Sequence, residues 1–207
     1  VGSGLVTKLS QPGGNLTGVT NLSSETLRLD WLIEVVAPKV ITKIFVPYNP
    51  DDKSAAFALT TAQDAAPGLE LEIYPREAKN VSEMEQVLAD MPEDIDAIYM
   101  LPDSIAISAI TAFVDTSIER QIPLCVPTTT QVKAGALISY GLDLESASQQ
   151  AARLAYQIFQ GKNAGDLPVE ESEFYLAINL DTAAKIDLFI SDSIINQADF
   201  IYPDPTQ

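Results

Sequence analysis

Short apolar runs alternate with amphipathic helical patterns along most of the chain, and this alternation restricts the fold more than any other feature. Residues 43–48 (Lys-Ile-Phe-Val-Pro-Tyr) and 97–101 (Ala-Ile-Tyr-Met-Leu) have the length and composition of buried strands. Between them, residues 84–91 carry apolar side chains at the spacing of one helix face. Strands joined by helices pair in parallel, because the helix returns the chain to the same edge of the sheet. The sequence therefore predicts an α/β fold with a parallel sheet flanked by helices.

Capping and turn residues set the bounds of several further elements. Ser23 or Ser24 precedes the first helix, Ser82 and Glu85 have capping-box spacing, and Gly161 follows a long helix as a C′ glycine. We expect one helix that ends at Ala37-Pro38 and further helices at 54–66, 84–91, 145–159 and 181–185. We expect strands at 69–74, 123–126, 137–140 and 174–178. One long helix is expected after Ser104, with Ile107, Ile110, Val114 and Ile118 facing inward. Apolar and charged residues alternate at 69–74, as is typical of an edge strand.

The net charge restricts the partners. The chain has 12 basic and 29 acidic residues, a formal net charge of −17. A surface this negative repels phosphate backbones and anionic lipids, so the sequence predicts no binding to nucleic acid or to membrane surfaces. An acidic surface also improves solubility, so the charge by itself does not indicate a cationic ligand.

The residue inventory excludes several kinds of catalytic site. The chain has no histidine and one cysteine, so it forms no internal disulfide, no Cys/His zinc site and no serine–histidine or cysteine–histidine nucleophile. Cys125 lies in an apolar run and is interpreted as a packing residue. The glycine-rich segments Gly2-Ser3-Gly4 and Pro12-Gly13-Gly14-Asn15 match neither phosphate-binding pattern, so turns are predicted there. We expect no cofactor, no metal and no catalytic residue.

Polar residues lie directly after four of the predicted strands. The segments are Tyr48-Asn49-Pro50, Pro102-Asp103-Ser104, Thr128-Thr129-Thr130 and Gly141-Leu142-Asp143. In parallel α/β sheets, ligands bind outside the carboxyl ends of the strands, where such loops converge. The sequence therefore indicates a small-molecule site at this edge of the sheet.

The side chains of these loops also have structural explanations. Asp103 either caps a helix or accepts a hydrogen bond from a ligand ammonium or hydroxyl group. Asn49 and Ser54 frame a helix start whose N–H groups suit an anionic group, or else Asn49 begins an ordinary turn. Tyr48 either stacks on a ligand or fills the core. These alternatives stay open at the level of the residues.

Short motifs follow one another in a characteristic order from one end of the chain to the other. They are residues 1–6, 11–19, Tyr48-Asn49-Pro50, Leu101-Pro102-Asp103, 135–141, Gly161-Lys162, 166–170 and 177–183. In order and spacing, this set resembles the substrate-binding proteins of ABC transporters, including the tryptophan-type aromatic amino-acid-binding components. The chain is identified as a member of that family.

The resemblance implies a type I periplasmic-binding fold, in which two α/β lobes close on a solute by a hinge motion. By this resemblance, residues 1–22 are the tail of lobe one and the first crossover, 23–142 are lobe two, 143–169 are a crossover and a lobe-one helix, and 170–207 return to lobe two and form the C-terminal tail. Most of lobe one is then expected to lie outside this sequence.

The resemblance also implies which residues face the ligand. On lobe two they are Tyr48, Asn49, Ser54, Asp103, Ser104, Thr128 and Gly141. In amino-acid-binding members, a helix start such as 49–54 would suit a carboxylate, and Asp103 would suit an ammonium group. The sequence departs from the family pattern after Asn49, where it reads Pro-Asp-Asp-Lys-Ser, and at Asp143-Leu144.

The function implied is a non-catalytic solute-binding component of an ABC importer, with a small-molecule solute and an ABC permease as partners. Its expected location is the periplasm or the cell exterior, with or without a lipid anchor. One alternative is the ligand-sensing ectodomain of a signalling receptor with the same fold. Another is an enzyme on a flavodoxin-like sheet, which the missing phosphate loop and histidine argue against.

Helix 145–161 has an apolar face that requires burial. Its members are Ala151, Leu154, Ala155 and Ile158. We expect this face to fold back on lobe two, to pair with a second copy in a homodimer, or to meet a chain segment outside this sequence.

Overall fold

The computed structural model describes residues 6–20 and 25–203, which fall into two compact units. Among these residues, 25–141 and 175–203 form the larger unit, and 6–20 and 142–174 form the smaller unit. The structure confirms the α/β class predicted from the sequence. Ser23, Ser24 and Gly2-Ser3-Gly4, for which a helix cap and a turn were expected, lie outside the described residues.

The described residues form nine strands and nine α-helices. The strands are β1 (Val19–Thr20), β2 (Lys43–Tyr48), β3 (Glu72–Glu77), β4 (Ala97–Tyr99), β5 (Leu124–Cys125), β6 (Ile138–Leu142), β7 (Glu170–Glu171), β8 (Phe174–Asn179) and β9 (Phe200–Tyr202). The helices are α1 (Glu25–Val36), α2 (Lys53–Ala65), α3 (Val81–Ala89), α4 (Ser104–Ser108), α5 (Ile110–Arg120), α6 (Thr129–Lys133), α7 (Leu144–Phe159), α8 (Leu180–Lys185) and α9 (Asp192–Ile195).

The larger unit is built on a seven-stranded sheet with the order β3-β2-β4-β5-β6-β8-β9. The pairs β2–β3, β2–β4, β4–β5, β5–β6 and β8–β9 are all parallel. Because β2, β4, β5 and β6 run in the same direction, their carboxyl ends lie at one edge of the sheet.

Apolar side chains fill a core on each face of this sheet. Along β2, Ile44 and Val46 belong to the core that also contains Leu29 of α1, whereas Phe45 belongs to the opposite core with Phe113 of α5. Successive strand residues point to opposite faces, so a strand covered on both sides is apolar throughout. This explains the uninterrupted apolar runs of the sequence.

A closed triangle of hydrogen bonds joins α1 to the end of β4 inside the first core. Glu25 and Arg28 are 0% and 2% exposed, and they form an ion pair. The Arg28 Nε–H donates to the Tyr99 hydroxyl, which donates in turn to the Glu25 carboxylate. Burial raises the pKa of Tyr99 well above its ordinary value and that of the Cys125 thiol to about 12, so both stay protonated. The packing interpretation of Cys125 is confirmed.

A carboxylate ties β2 to β4 at their amino ends. Oδ2 of Asp96 accepts hydrogen bonds from the N–H groups of Thr42 and Lys43, at 2.8 and 2.9 Å, and from the Thr42 hydroxyl at 2.9 Å. Partial burial by itself would raise the pKa of Asp96, but these bonds lower it below its ordinary value. Asp96 therefore holds the two strand starts together in its charged form.

The strand predicted at 69–74 begins three residues later in the structure. Residues 66–69 form a 3-10 turn that contains Pro67, and Glu70 takes a left-handed conformation with φ of 56°. The turn delays the start of β3 until Glu72, although β3 is the edge strand that the sequence predicted.

The cap of α3 and the length of the helix after Ser104 also differ from expectation. Asn80, not Ser82, caps α3: its side chain accepts from the Glu83 N–H at 2.9 Å, and Glu83 accepts from the Lys79 N–H at 2.8 Å. The single long helix is wrong, because Ala109 leaves helical geometry and separates α4 from α5.

Among the four apolar residues expected to face inward after Ser104, one departs clearly. Val114 is buried and Ile110 and Ile118 are half-buried, but Ile107 is 45% exposed. The break after α4 rotates its helical face away from the one predicted for a continuous helix.

The smaller unit is held by parallel pairing of β1 with β7 and by a glycine contact. The Gly13 N–H donates to the Gly165 carbonyl at 3.1 Å, and a Cβ on Gly165 would lie 2.2 Å from the Gly14 carbonyl oxygen. Gly13 has φ of 75°, so the Pro12–Asn15 segment is the turn that the sequence predicts. In α7, Leu154 is buried, whereas Ile158 is 39% exposed.

We predict that Asp96→Asn lowers the free energy of unfolding at pH 7 by about 1–2 kcal/mol. The folded-state pKa of Asp96 lies below the ordinary value of 3.8. The stabilisation of the folded protein by the Asp96 carboxylate is therefore complete above pH 3.8 and is lost as the pH falls through the folded-state pKa. Urea unfolding from neutral pH down to about pH 3 measures the difference. A difference between variant and wild type that stays constant over this range would contradict the prediction.

We predict that Arg28→Met lowers the free energy of unfolding by about 3–5 kcal/mol, because it leaves the Glu25 carboxylate buried without its cation. The triple variant Glu25→Leu/Arg28→Met/Tyr99→Phe removes every member of the triangle and recovers most of this loss. Chemical unfolding of both variants provides the comparison. Equal losses would show that the side-chain volumes matter and the charges do not.

Candidate functional site

The seven residues predicted for the site lie at the carboxyl-end edge of the sheet in the larger unit. Tyr48 ends β2, Asn49 follows it, and Ser54 is the second residue of α2. The others are Asp103 and Ser104 at the start of α4, Thr128 before α6, and Gly141 near the end of β6. The parallel order of the strands is what brings residues from four parts of the sequence to one edge.

Asp103 joins two of these loops. Its Oδ1 accepts from the N–H groups of Ile105 at 2.8 Å and Ala106 at 3.3 Å, which caps α4. Its Oδ2 accepts from the Asn49 N–H at 2.6 Å, and the residue is 0% exposed. The helix-cap interpretation is confirmed, while a bond from Asp103 to a ligand stays a prediction.

The start of α2 is already occupied by a carboxylate of the chain. Oδ1 of Asp52 accepts from the N–H groups of Ser54 at 2.8 Å and Ala55 at 3.3 Å. The Asn49 side chain accepts from the Asp51 N–H at 3.0 Å, which forms the turn. The interpretation of this helix start as an anion site is therefore wrong for these two donors, and the turn interpretation is confirmed.

Tyr48 lies between the core and the edge. It is half-buried and packs against the first core, and its hydroxyl donates to Oε1 of Glu77 at 3.4 Å. Burial, followed by the neighbouring Glu77 carboxylate, raises the pKa of Tyr48 above its ordinary value. The phenol is thus neutral at physiological pH, and its packing in the core is confirmed; stacking on a ligand stays a prediction.

Thr128 and Gly141 meet at the neighbouring strand ends. The Thr128 N–H and hydroxyl both donate to the Gln131 side-chain oxygen, at 3.0 and 2.7 Å, which fixes the start of α6. A Cβ on Gly141 would lie 2.0 Å from the Pro127 carbonyl oxygen. Gly141 is therefore required for a close approach of two backbones.

Ser54 and Ser104 are the two exposed hydroxyl groups of the predicted set. Within the described part of the chain, their hydroxyls form no hydrogen bond with another residue. Each has a donor and two acceptor sites free for a solute. Together with half-buried Asn49, Tyr48 and Thr128, they are the accessible polar residues of the predicted set.

The edge carries more negative than positive charge in its β2–α2 region. Asp51 is exposed with its carboxylate 3.7 Å from Nζ of Lys79, and Asp52 and Glu77 lie close by in the same region. Over residues 6–20 and 25–203, no three His, Cys, Asp or Glu side chains are grouped as a metal site requires. In the same ranges, no helix has the length and apolar character needed to cross a membrane.

The sequence matches the family model for ABC transporter substrate binding proteins over residues 1–201. The chain belongs to this family. A tyrosine-binding protein of Clostridioides difficile is 30% identical over 189 residues, which are 91% of this chain and 54% of that protein. The chain thus spans little more than half the length of this relative.

Solved structures of similar fold support the assignment. A conserved domain protein from Vibrio cholerae has a TM-score of 0.85 and 26% identity, with 97% of this chain and 68% of that chain covered. The ABC domain of Streptococcus pneumonia, solved in complex with L-Trp, has a TM-score of 0.84 and 22% identity with the same coverage. The fold is therefore the type I periplasmic-binding fold expected from the resemblance.

Reasoning from the sequence missed three contacts that shape this substrate-binding protein's edge. They are the Asp52 cap, the bond from the Asn49 N–H to Asp103, and the approach of Gly141 to Pro127. An aspartate two residues before Ser54 is a recognisable cap signal, whereas the other two join residues distant in sequence and leave no local pattern.

We predict that Gly141→Ala destabilises this substrate-binding protein by about 1–3 kcal/mol, because the added methyl group overlaps the Pro127 carbonyl and forces the strand ends apart. Gly68→Ala is the matched control, since no atom lies within 4 Å of its added Cβ. Thermal unfolding of both variants measures the difference. Similar melting temperatures for the two would rule out a role for the close approach.

Proposed function

We propose that this chain belongs to a non-catalytic solute-binding component of an ABC importer, and that its solute is an amino acid with an aromatic side chain. The similarity to the tyrosine-binding protein, which extends over 91% of this chain, carries the proposal. The structure similar in fold that holds L-Trp suggests a second solute of the same class to test. The periplasm or the cell exterior, with an ABC permease as partner, follows from this role.

The proposed ligand-facing surface consists of the seven residues at the strand ends. Ser54, Ser104 and Asn49 offer hydrogen bonds to the solute, and Tyr48 offers an aromatic edge. Thr128, Gly141 and Asp103 shape the loops. Since the donors at the start of α2 are used by Asp52, we propose that this edge receives the ammonium end of an amino acid, and that the carboxylate binds elsewhere.

The lobe assignment is part of the same proposal. Residues 23–142 and 170–207 are assigned to lobe two, with 1–22 and 143–169 belonging to the crossovers and lobe one. The larger compact unit, with described residues 25–141 and 175–203, supports most of this division, although residues 170–174 fall in the smaller unit, where β7 pairs with β1. A homodimer through residues 145–161 and the lack of nucleic-acid binding stay predictions.

We predict that the full-length protein binds L-tyrosine or L-tryptophan and is stabilised by about 2.7 kcal/mol at a solute concentration 100 times the Kd. Ser104→Leu places an apolar side chain at the edge and is expected to weaken binding about ten-fold. Thr60→Leu, on the exposed face of α2, is the matched control. Isothermal titration measures both variants, and chromatography of the released solute tests whether it is recovered unchanged.

Binding of a sugar such as D-allose in place of either amino acid would contradict the proposed solute class. A chemically altered solute after release would contradict the non-catalytic role. Equal losses of affinity in Ser104→Leu and Thr60→Leu would show that the ligand-facing surface does not lie at the strand ends.

A further inference from the structure

Two aspartates at the opposite ends of β4 bind backbone N–H groups of the same neighbouring strand. Asp96, before β4, accepts from the N–H groups at the start of β2. Asp103, after β4, accepts from the N–H of Asn49, the first residue beyond β2, at 2.6 Å. The strand pair is therefore tied by a carboxylate at both ends, and only the Asp103 tie lies at the proposed ligand-facing surface.

The Asp103 carboxylate has little capacity left for a solute. Two of its bonds cap α4 and one binds Asn49, so three N–H groups share its two oxygens. The residue is 0% exposed. A solute would reach these oxygens only after the loops that bury them had moved apart.

We propose that Asp103 is a positioning residue for solute binding, and that it acts by holding Asn49 and the following turn against the start of α4. This inference rests on the proposed function for its consequence, although the contact itself does not depend on any ligand. The Asn49 turn leads into α2 and Ser54, while Asp103 directly precedes Ser104. One carboxylate thus fixes the separation of the two loops that carry the exposed hydroxyl groups.

Asp103→Asn separates the two tasks of the side chain. The amide has the shape of the carboxylate but only one accepting oxygen, so it can cap α4 or accept from Asn49, but not both. Asp96→Asn makes the same chemical change at the amino ends of the same strands. It controls for any general loss of stability when a carboxylate hydrogen bond between β2 and β4 is removed.

The first measurement is hydrogen exchange of the Asn49 amide in the full-length protein without any ligand, followed by NMR. We expect Asp103→Asn to accelerate this exchange at least about ten-fold, because a tenfold change corresponds to the loss of one ordinary hydrogen bond. Asp96→Asn is expected to leave the exchange rate within about two-fold of wild type. Unchanged exchange at Asn49 in Asp103→Ala, whose side chain has no accepting oxygen, would overturn the proposal.

The second measurement is the affinity for L-tyrosine and L-tryptophan by titration. We expect about ten-fold weaker binding for Asp103→Asn and less than about two-fold for Asp96→Asn. Equal effects of the two variants would overturn the positioning role. If wild type binds neither probe, the proposed solute class fails, and the exchange of the Asn49 amide decides the positioning inference alone.

A double-mutant cycle distinguishes positioning from direct contact. If Asp103 acts by positioning the two loops, Asp103→Asn has little further effect on affinity in a Ser54→Ala/Ser104→Ala background, which lacks the two hydroxyl groups that those loops carry. Additive losses in the cycle would mean that Asp103 contacts the solute itself, which would overturn the inference.

Discussion

The parallel pairing of β4 with β2 on one side and β5 on the other is the constraint on which the rest of the larger unit depends. Parallel strands cannot be joined by a tight turn, so each is followed by a helix that returns over one face of the sheet. The starts of α2, α4 and α6, which follow β2, β4 and β5, are consequently brought to the same edge as the strand ends. The polar loops meet there because of chain direction, before any contact between their side chains is considered.

The helix starts at this edge are largely satisfied by the protein itself. Asp52 caps α2, Asp103 caps α4, and Thr128 with Gln131 fixes the start of α6. A capped helix start offers fewer free N–H groups to an anion than an open one. Together with the carboxylates near β2, these caps are the reason for proposing that hydroxyl and amide groups, more than helix dipoles, would recognise a solute on this side.

The charged triangle of Glu25, Arg28 and Tyr99 lies deeper in the same region. Tyr99 ends β4 four positions before Asp103, and Glu25 begins α1. Burying an ion pair costs desolvation energy, so such a pair contributes a specific side-chain geometry more than net stability. In this protein the triangle fixes the beginning of α1 against the end of β4, so the strand that precedes Asp103 is held from the core side as well as from the Asn49 turn.

The sequence by itself determined the fold class, the positions of most helices and strands, and the loops that form the candidate site. These features depend on local patterns: the apolar runs of β2 and β4, the stripe of α3, and polar residues after strand ends. Local patterns also account for its errors. The 3-10 turn at Pro67 delayed β3, and Ala109 divided one expected helix into two.

Only the tertiary structure decided which contacts the residues of the candidate site make. The sequence left Asp103 open between a helix cap and a ligand contact, and the structure shows the cap together with a bond from the Asn49 N–H, 54 positions away in sequence. Likewise, Glu25 and Arg28 have the i,i+3 spacing of an exposed ion pair on a helix, and their burial depends on Tyr99 from β4. Such contacts join residues that are close only after the sheet has formed, and therefore no local pattern encodes them.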